Sequence, residues 1–555
     1  MAARGVDHVL FSKECEIDMS YRRIATHAFV TAAVACGWGG AASAADKPVS
    51  GGILTFVVAS TAPSYDAHFE QTFGVVHPIR PFYSLLLRAN PDNLQDPTDF
   101  ICELCEGKWD ESKDGLTYTF KIRQNVKFHD GTPLTSADIK ATIDKIAFPP
   151  EGVPSARQSW YTQIASVEAP EPYKLVVKMK RPLPAIIPAL ASPFNFVYAK
   201  KDLDTHGYKW HQKNINGTGA FTFVQEQPGA FIEGKKNPNY FVKGQPYLDG
   251  FKAIQAPKMS VRLQSIRGDR AAVEFRGFPP KARDDLVNAL GDKVKVQESN
   301  WNVLIGASPN QKKPEYQDPR VRQALAYALD RYGTADAISQ IAITKYVGGI
   351  VFPGHPLEAK KEWLADMPGY GDIKASREKA KQLLKDAGQS KLKLSVWNRA
   401  VDQPYKIIGT WYVDQWRKVG IDADQKVVPT GPWYAGMRQT RDFDVAVDPN
   451  AQTIVNPTID TSKYISGAGN NYSNTTDKKS NELYFAMLYE TNSKKQYEKM
   501  RAYEKHILLD EAQYIPAFWW YRITVQRSYF KGWNSGPSHY VNQGLENVWI
   551  DPKLR

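Results

Sequence analysis

The chain has 555 residues, too many for one hydrophobic core; at roughly 100–200 residues per domain, two to four domains are expected. Its 42% hydrophobic and 23% charged residues are those of a globular protein and exclude a disordered or low-complexity chain. A net charge of +12 would suit an anionic ligand, nucleic acid or a membrane surface. Lys and Arg are scattered, however, with no long basic run and no nucleic-acid motif, so the charge reads as a solvated surface and nucleic acid is not expected as a partner.

The N-terminus carries an export pattern. From Met19, Arg22-Arg23 form a basic region, Ile24 to Gly37 a short apolar stretch, and Ala42-Ser43-Ala44 a small-x-small cleavage site. The first eighteen residues lack signal character, so translation is expected to start at Met19 and processing to follow Ala44. Val34-Ala35-Cys36-Gly37 forms a degenerate lipobox with Ala33 where Leu is usual, an alternative anchor at Cys36. No later stretch approaches the roughly 18 apolar residues of a membrane helix, so the mature chain is expected to be soluble in the periplasm. Only Cys102 and Cys105 survive processing. In an oxidising compartment they most simply close a small disulfide loop; a redox motif would want a following helix in a thioredoxin-like frame, and a zinc site a second pair of ligands.

Ile53 to Val58 reads as a buried strand, Pro63-Ser64-Tyr65-Asp66 as a loop and Val75 to Leu87 as a helix. Thr117 to Arg123 alternates apolar and polar residues, a half-buried strand. Val126-Lys127-Phe128 is a second short strand, Asp130-Gly131 a turn, and Thr135 an N-cap with Asp138 in the capping-box position. Leu175 to Met179 is a strand, followed by a proline-rich edge at 181–193. Asp318 caps a helix with Pro319 at N1 and a stripe of Val321, Ala324, Leu325 and Ala328. A helix at 376–387 ends at Gly388, a strand covers 392–396, a helix with Ile407, Trp411 and Val419 follows, and a strand starts at Ile421. This alternation predicts an α/β lobe from about 306 to 518.

Four strings in this order carry a resemblance: Gly115 to Lys140, Asn216-Gly217-Thr218-Gly219-Ala220-Phe221, Asn237-Pro238-Asn239-Tyr240-Phe241, and Asp318 to Arg331. Together they resemble the extracellular solute-binding proteins of family 5, which serve ABC importers of peptides and related solutes; the likeness runs over about 51–550. It implies an α/β, two-lobed periplasmic-binding-protein (Venus-flytrap) fold, with mixed sheets in each lobe and a third, smaller subdomain inserted in lobe I. The expected division is 1–45 leader, 46–90 with 213–305 and 519–555 as lobe I, 91–212 as the inserted subdomain, and 306–518 as lobe II. Trp301 to Gly306 and Ile515 to Val525 would cross between the lobes as a hinge.

No catalytic signature stands out. Gly229 to Lys235 loosely resembles a P-loop, but Lys236 replaces its Ser/Thr and Phe231-Ile232-Glu233 reads as strand. There is no Gly-x-Ser-x-Gly, His-Glu-x-x-His or Rossmann glycine cluster, and His129, His355 and His506 read as structural or surface residues. The expectation is therefore a non-enzymatic receptor without cofactor or metal. It would be monomeric, bind a peptide or peptide-like solute and deliver it to an inner-membrane ABC permease and its ATPase. The same role for an opine, oligosaccharide, anionic or aromatic compound or metal chelate stays open, as do a secreted hydrolase and a periplasmic chaperone or sensor.

Cleft residues are expected on loops that follow strands. Tyr65 and Asp66 fill this place in the first lobe, and Trp397-Asn398-Arg399 and Trp433-Tyr434 in the second; Arg399 offers a fork for a carboxylate. In peptide-binding relatives an Asp following a Tyr-Asp-Val strand captures the ammonium. Here Phe443-Asp444-Val445 and Pro457 anchor that segment and place Thr453 at the Asp position, with Asp448 five residues earlier. A neutral Thr offers no ion pair, so either Asp448 or another acid substitutes, or the solute has no free ammonium.

Overall fold

The computed structural model describes residues 47–555 except 95, 97, 184, 452 and 455; the leader, Met19, the cleavage site and Cys36 lie outside the described residues. The strands of the central sheet are numbered here as β1 Ile53–Val58, β2 Phe221–Gln227, β3 Phe231–Lys236, β4 Gly250–Gln255, β5 Val273–Glu274, β6 Val294–Pro309, β7 Thr344–Tyr346, β8 Lys393–Arg399, β9 Asp422–Val428, β10 Val445–Ala451 and β11 Ile515–Arg527. Their spatial order is β9-β8-β10-β6-β11-β5-β1-β4-β3-β2, with β7 added on β11. Both wings mix parallel and antiparallel pairs: β1 runs parallel to β4 and β5, and β8 parallel to β9 and β10, while β3 is antiparallel to β4 and β10 to β6.

Two long antiparallel strands, β6 and β11, join the wings. The first half of β6 pairs only with β11, and from Val303 onward it also pairs with β10. The ladder slips between Asn300 and Leu304, so Trp301-Asn302-Val303 bulge at the crossing. Burial changes at the same place: β6 alternates exposed and half-buried residues up to Asn300, then is buried from Trp301 to Pro309. A bulge bends a strand and re-aims its side chains, which suits a segment passing from one core into another.

Residues 91–212 contain a separate four-stranded antiparallel sheet of Asp110–Glu111, Thr117–Lys121, Lys174–Met179 and Ile164–Glu171. Helix Ser136–Ala147 packs on it and carries the reciprocal Thr135–Asp138 capping box. Cys102 and Cys105 are joined by a disulfide. Val126 to Phe128 is not a strand; Lys127 forms one isolated bridge to Pro133, because the Asp130-Gly131 turn folds the chain back after three residues. The helix expected over 75–87 is also shorter. It runs Phe73–Ile79, tightens to a 3₁₀ turn at Arg80–Phe82 and gives way to a strand at Leu87–Ala89. Pro78 and Pro81 each remove a backbone donor there. The segment resembling a P-loop contains β3, in agreement with its rejection as a nucleotide site.

The Asn-Gly-Thr-Gly string has a packing explanation. A Cβ on Gly217 would sit 2.1 Å from Phe82 O, and one on Gly219 2.4 Å from Phe82 C and Pro81 O. Only glycine permits the 216–219 turn to lie this close to the backbone of the 3₁₀ turn.

Candidate ligand-binding cleft

A narrow cavity lies between the two wings, walled from both sides. From the β1 side and the 91–212 segment come Gln71, Ala156, Arg157, Trp160 and Phe194; from the β8–β10 side come Trp433, Tyr434, Asp448, Thr453 and Tyr472. Helix Thr430–Ala435 follows β9 and presents Trp433 and Tyr434, whose rings meet at 87°; Trp433 also stands edge-on to Tyr472. Flat apolar walls with a few polar groups are the usual composition of a small-molecule site. The Trp433 indole N–H and the Thr453 hydroxyl are buried without hydrogen-bond partners, which leaves a donor and a hydroxyl for a bound group.

The charges in this cleft are unequal. Asp448, in the middle of β10, forms an ion pair with Lys463 at 2.7 Å and accepts a hydrogen bond from Ser308 at 2.9 Å. Burial pushes the Asp448 carboxyl above its usual range against the pull of Lys463. Arg157 donates to the carbonyls of Ala67 (3.1 Å) and Glu70 (2.7 Å) and lies 3.8 Å over the Phe194 ring. Burial lowers its pKa to about 10, so it stays protonated at neutral pH. Arg399, at the end of β8, donates to Ser60 (3.1 Å), Thr72 (3.3 Å), Thr430 (3.1 Å) and Tyr405 (3.2 Å) and sits 5.5 Å from the Tyr434 ring centre. All four partners are hydroxyls. Among the described residues neither Arg157 nor Arg399 forms an ion pair with a carboxylate; the acid of the cavity wall is neutralised by its own lysine.

Of the nine ligand-contact candidates read from sequence, Trp433, Tyr434, Asp448 and Thr453 come together on the cavity wall, and Arg399 stands behind Tyr434. The other four are placed elsewhere. Asp66 is spent inside the fold: it pairs with Lys145 at 2.7 Å and accepts from the Tyr198 hydroxyl and the His68 N–H, both at 3.0 Å. The Tyr65 hydroxyl donates to Glu226, and its ring packs on Phe223. Asn398 is buried between Gln425, which donates to its oxygen at 2.7 Å, and the Arg399 carbonyl. Trp397 carries Lys426 over its ring at 4.0 Å and packs on Phe443. Alternation along β8 turns Asn398 to the face opposite Trp397 and Arg399, since successive side chains leave opposite faces of a strand. Asp448 also cannot serve as a free ammonium acceptor while Lys463 holds it.

Gln71, Arg157, Trp160, Phe194 and Tyr472 escaped the sequence reading. Signals for three of them exist: Arg157-Gln158-Ser159-Trp160-Tyr161 is dense in aromatic and cationic residues without periodicity, and Tyr472 sits in the Gly/Asn-rich run 467–474.

The fold is that of the two-lobed periplasmic binding proteins. Residues 99–473 match the model for bacterial extracellular solute-binding proteins, family 5 Middle, and the chain belongs to that family. It is 26% identical over 334 residues to the glutathione-binding protein GsiB of Escherichia coli O1:K1 / APEC, a match covering 58% of this chain and 60% of that protein. The chain thus spans about three fifths of the curated relative it matches. Its fold is similar to that of AgaA in complex with agropinic acid from A.tumefacien R10, with a TM-score of 0.78, 21% identity, and 90% and 99% of the two chains covered. It is also similar to that of the oligopeptide-binding protein AppA from Bacillus subtilis in complex with a nonapeptide, with a TM-score of 0.78, 20% identity, and 91% and 100% covered. No helix among the described residues is long and apolar enough to cross a membrane.

Proposed function

We propose that this chain is the solute receptor of an ABC importer. Working in the periplasm after export, it closes two lobes over a peptide or peptide-like solute and delivers it unchanged to an inner-membrane permease. One observation carries this reading. The aromatic cleft between the wings has the buried guanidinium group of Arg157 on its wall and that of Arg399 behind Tyr434, neither with an acidic partner among the described residues. Such a site favours a solute with a carboxylate, because a buried cation gains most from a charge-assisted hydrogen bond. The relatives support the role: GsiB is a glutathione-binding protein, and the AppA structure holds a nonapeptide.

A second reading, a non-peptide solute, is favoured by the Asp448–Lys463 pair. With that acid neutralised and Thr453 beside it, the cleft has no evident seat for a peptide ammonium. The AgaA complex with agropinic acid is a neighbour in keeping with this alternative. In either case the lobes follow the boundaries expected from sequence, with β6 and β11 as the hinge, and the protein works as a monomer without cofactor, metal or catalysis.

The test is solute capture. The mature protein is mixed singly with glutathione, di- and tripeptides and opines while tryptophan emission is recorded, and whatever co-purifies is identified by mass spectrometry. One solute should shift emission saturably and be recovered intact. A reaction product in the mixture would refute the receptor reading in favour of a hydrolase.

A further inference from the structure

Next to the cavity is a second, wider chamber open to solvent. Ala156 lines both spaces. Between them the chain at Gly469 presses on Ser155 and Ala156; a Cβ at Gly469 would lie 3.2 Å from Ser155 O. The two spaces are therefore consecutive compartments of one cleft, divided by a waist.

The chamber is basic. Lys209 faces it from one side of the cleft, Arg438 and Arg441 from the other, and none of its lining residues is acidic. Arg438 stacks on Phe69 and Tyr434, 4.8 Å and 4.6 Å from the ring centres, and approaches Glu70 at 3.4 Å. Arg441 is fixed but not neutralised. Its backbone is held at φ 51° with its N–H donating to Gly436 O at 2.7 Å, and its guanidinium donates to Asn474, which in turn donates to Asn310 at 2.8 Å. The acids nearest it in sequence, Asp442 and Asp444, are engaged by Lys313 at 3.3 Å and 2.7 Å. Lys209 forms no ion pair with the described residues, so Glu70 is the single acid set against three cations. Like charges gathered on low-dielectric walls raise the local concentration of the opposite charge.

We propose that this chamber is a second anion-binding subsite. The captured solute then carries two anionic groups, one for the buried Arg157 on the cavity wall and one, a carboxylate or a phosphate, held beyond the waist by Arg438, Arg441 and Lys209. The inference rests on the receptor reading of the inner cavity, which it extends to a dianionic solute.

The mature protein is titrated separately with inorganic phosphate and with succinate, with ionic strength held constant by KCl, and binding is read by calorimetry and by the thermal unfolding midpoint. Either anion should bind saturably to wild type. Arg441→Gln combined with Lys209→Gln should weaken that binding by about tenfold or more, while the unfolding midpoint in KCl alone stays at the wild-type value. Should the double variant fold poorly, Lys209→Gln alone, on an exposed side chain, should weaken binding in the same direction. A preference for phosphate assigns a phosphorylated solute and a preference for succinate a dicarboxylate. No saturable response in wild type, or equal affinity in the variants, would overturn the proposal, the latter by placing the anion on Arg157 or Arg399. The receptor reading fails separately: a chain that binds either anion through Arg441 and captures no solute would remove the receptor and leave the chamber standing.

Discussion

At the scale of single residues, the cleft is decided by which charges are already spent. Arg399 is surrounded by hydroxyls, which hold a guanidinium in place without cancelling its charge. Arg399→Ala should weaken solute affinity by at least about 1.5 kcal/mol, the lower range for a hydrogen bond to a charged group. Calorimetry with the co-purified solute checks this, and unchanged affinity in a folded variant would remove Arg399 from the site. Thr453 is the complementary case, a buried hydroxyl without a partner on the same wall. Thr453→Asp should raise affinity for dipeptides with a free ammonium; unaltered dipeptide affinity would show that Thr453 does not occupy the ammonium-binding position. Asp460 reports on burial itself. Both carboxyl oxygens are buried without partners, and burial holds its pKa well above 3.8 in the folded chain. Between the unfolded and folded values the native state keeps a proton that the unfolded state has lost, so stability is full below the unfolded value and falls as pH rises through that window. Asp460→Asn keeps the shape without the titration. The loss of urea midpoint as pH rises from the ordinary carboxylate range toward neutrality should therefore be smaller in the variant. An identical loss would assign the pH dependence to another group.

At the scale of elements, the crossing strands are packed to the limit. A Cβ on Gly306 in β6 would stand 2.4 Å from the Tyr514 ring, whose hydroxyl donates to the carbonyls of Asp448 (2.7 Å) and Leu304 (3.3 Å). Gly306→Ala must displace that ring, at a cost of about 1–3 kcal/mol for overpacking. A guanidinium-chloride midpoint equal to wild type would mean that the ring moves freely. Elements of this kind were readable where a residue's role is local. The Thr117 strand, the Thr135 capping box, the Asp318 cap and the Gly388 terminus follow from short-range periodicity and capping. The apolar pattern over 75–87 predicts a longer helix than Phe73–Ile79 because periodicity alone does not register the donors that Pro78 and Pro81 remove. The cleft was legible only in part, for a reason of distance. Asp66 looks like a free loop acid until Lys145, 79 residues on, is folded against it. Arg157 and Trp160 stand in a string dense in aromatic and cationic residues, but nothing local to it or to Phe194 says that these side chains face β10.

At the scale of the molecule, contacts between the wings decide what solute binding can do. Arg399 reaches across to Ser60 and Thr72, Asp402 accepts from the Met259 N–H at 2.9 Å, Arg276 donates to Gln403 O at 2.8 Å, and the Trp160 indole donates to Ser462 at 3.0 Å. Ser60 also meets Thr430 at 3.0 Å, Tyr434 donates to Gln71 O at 3.5 Å and Arg438 approaches Glu70 at 3.4 Å; these polar contacts ring the cavity, while β6 and β11 are among the covalent connections. A net hydrogen bond is worth about 1 kcal/mol, so this set can balance an open form without abolishing it. A solute that bridges the wings adds interactions made only when they are shut, and its differential affinity for the two forms sets the shift. Solution X-ray scattering of the mature chain should then show a solute-free average larger than the loaded form. On saturation the radius of gyration should fall toward about 23–24 Å, the value for a compact chain of this length. Arg399→Ala loses both the solute contact and the tie to Ser60 and Thr72, so its solute-free average should be larger than that of wild type. If wild type and variant give the same profile with and without saturating solute, the wings do not close on their cargo and β6 and β11 are not a hinge.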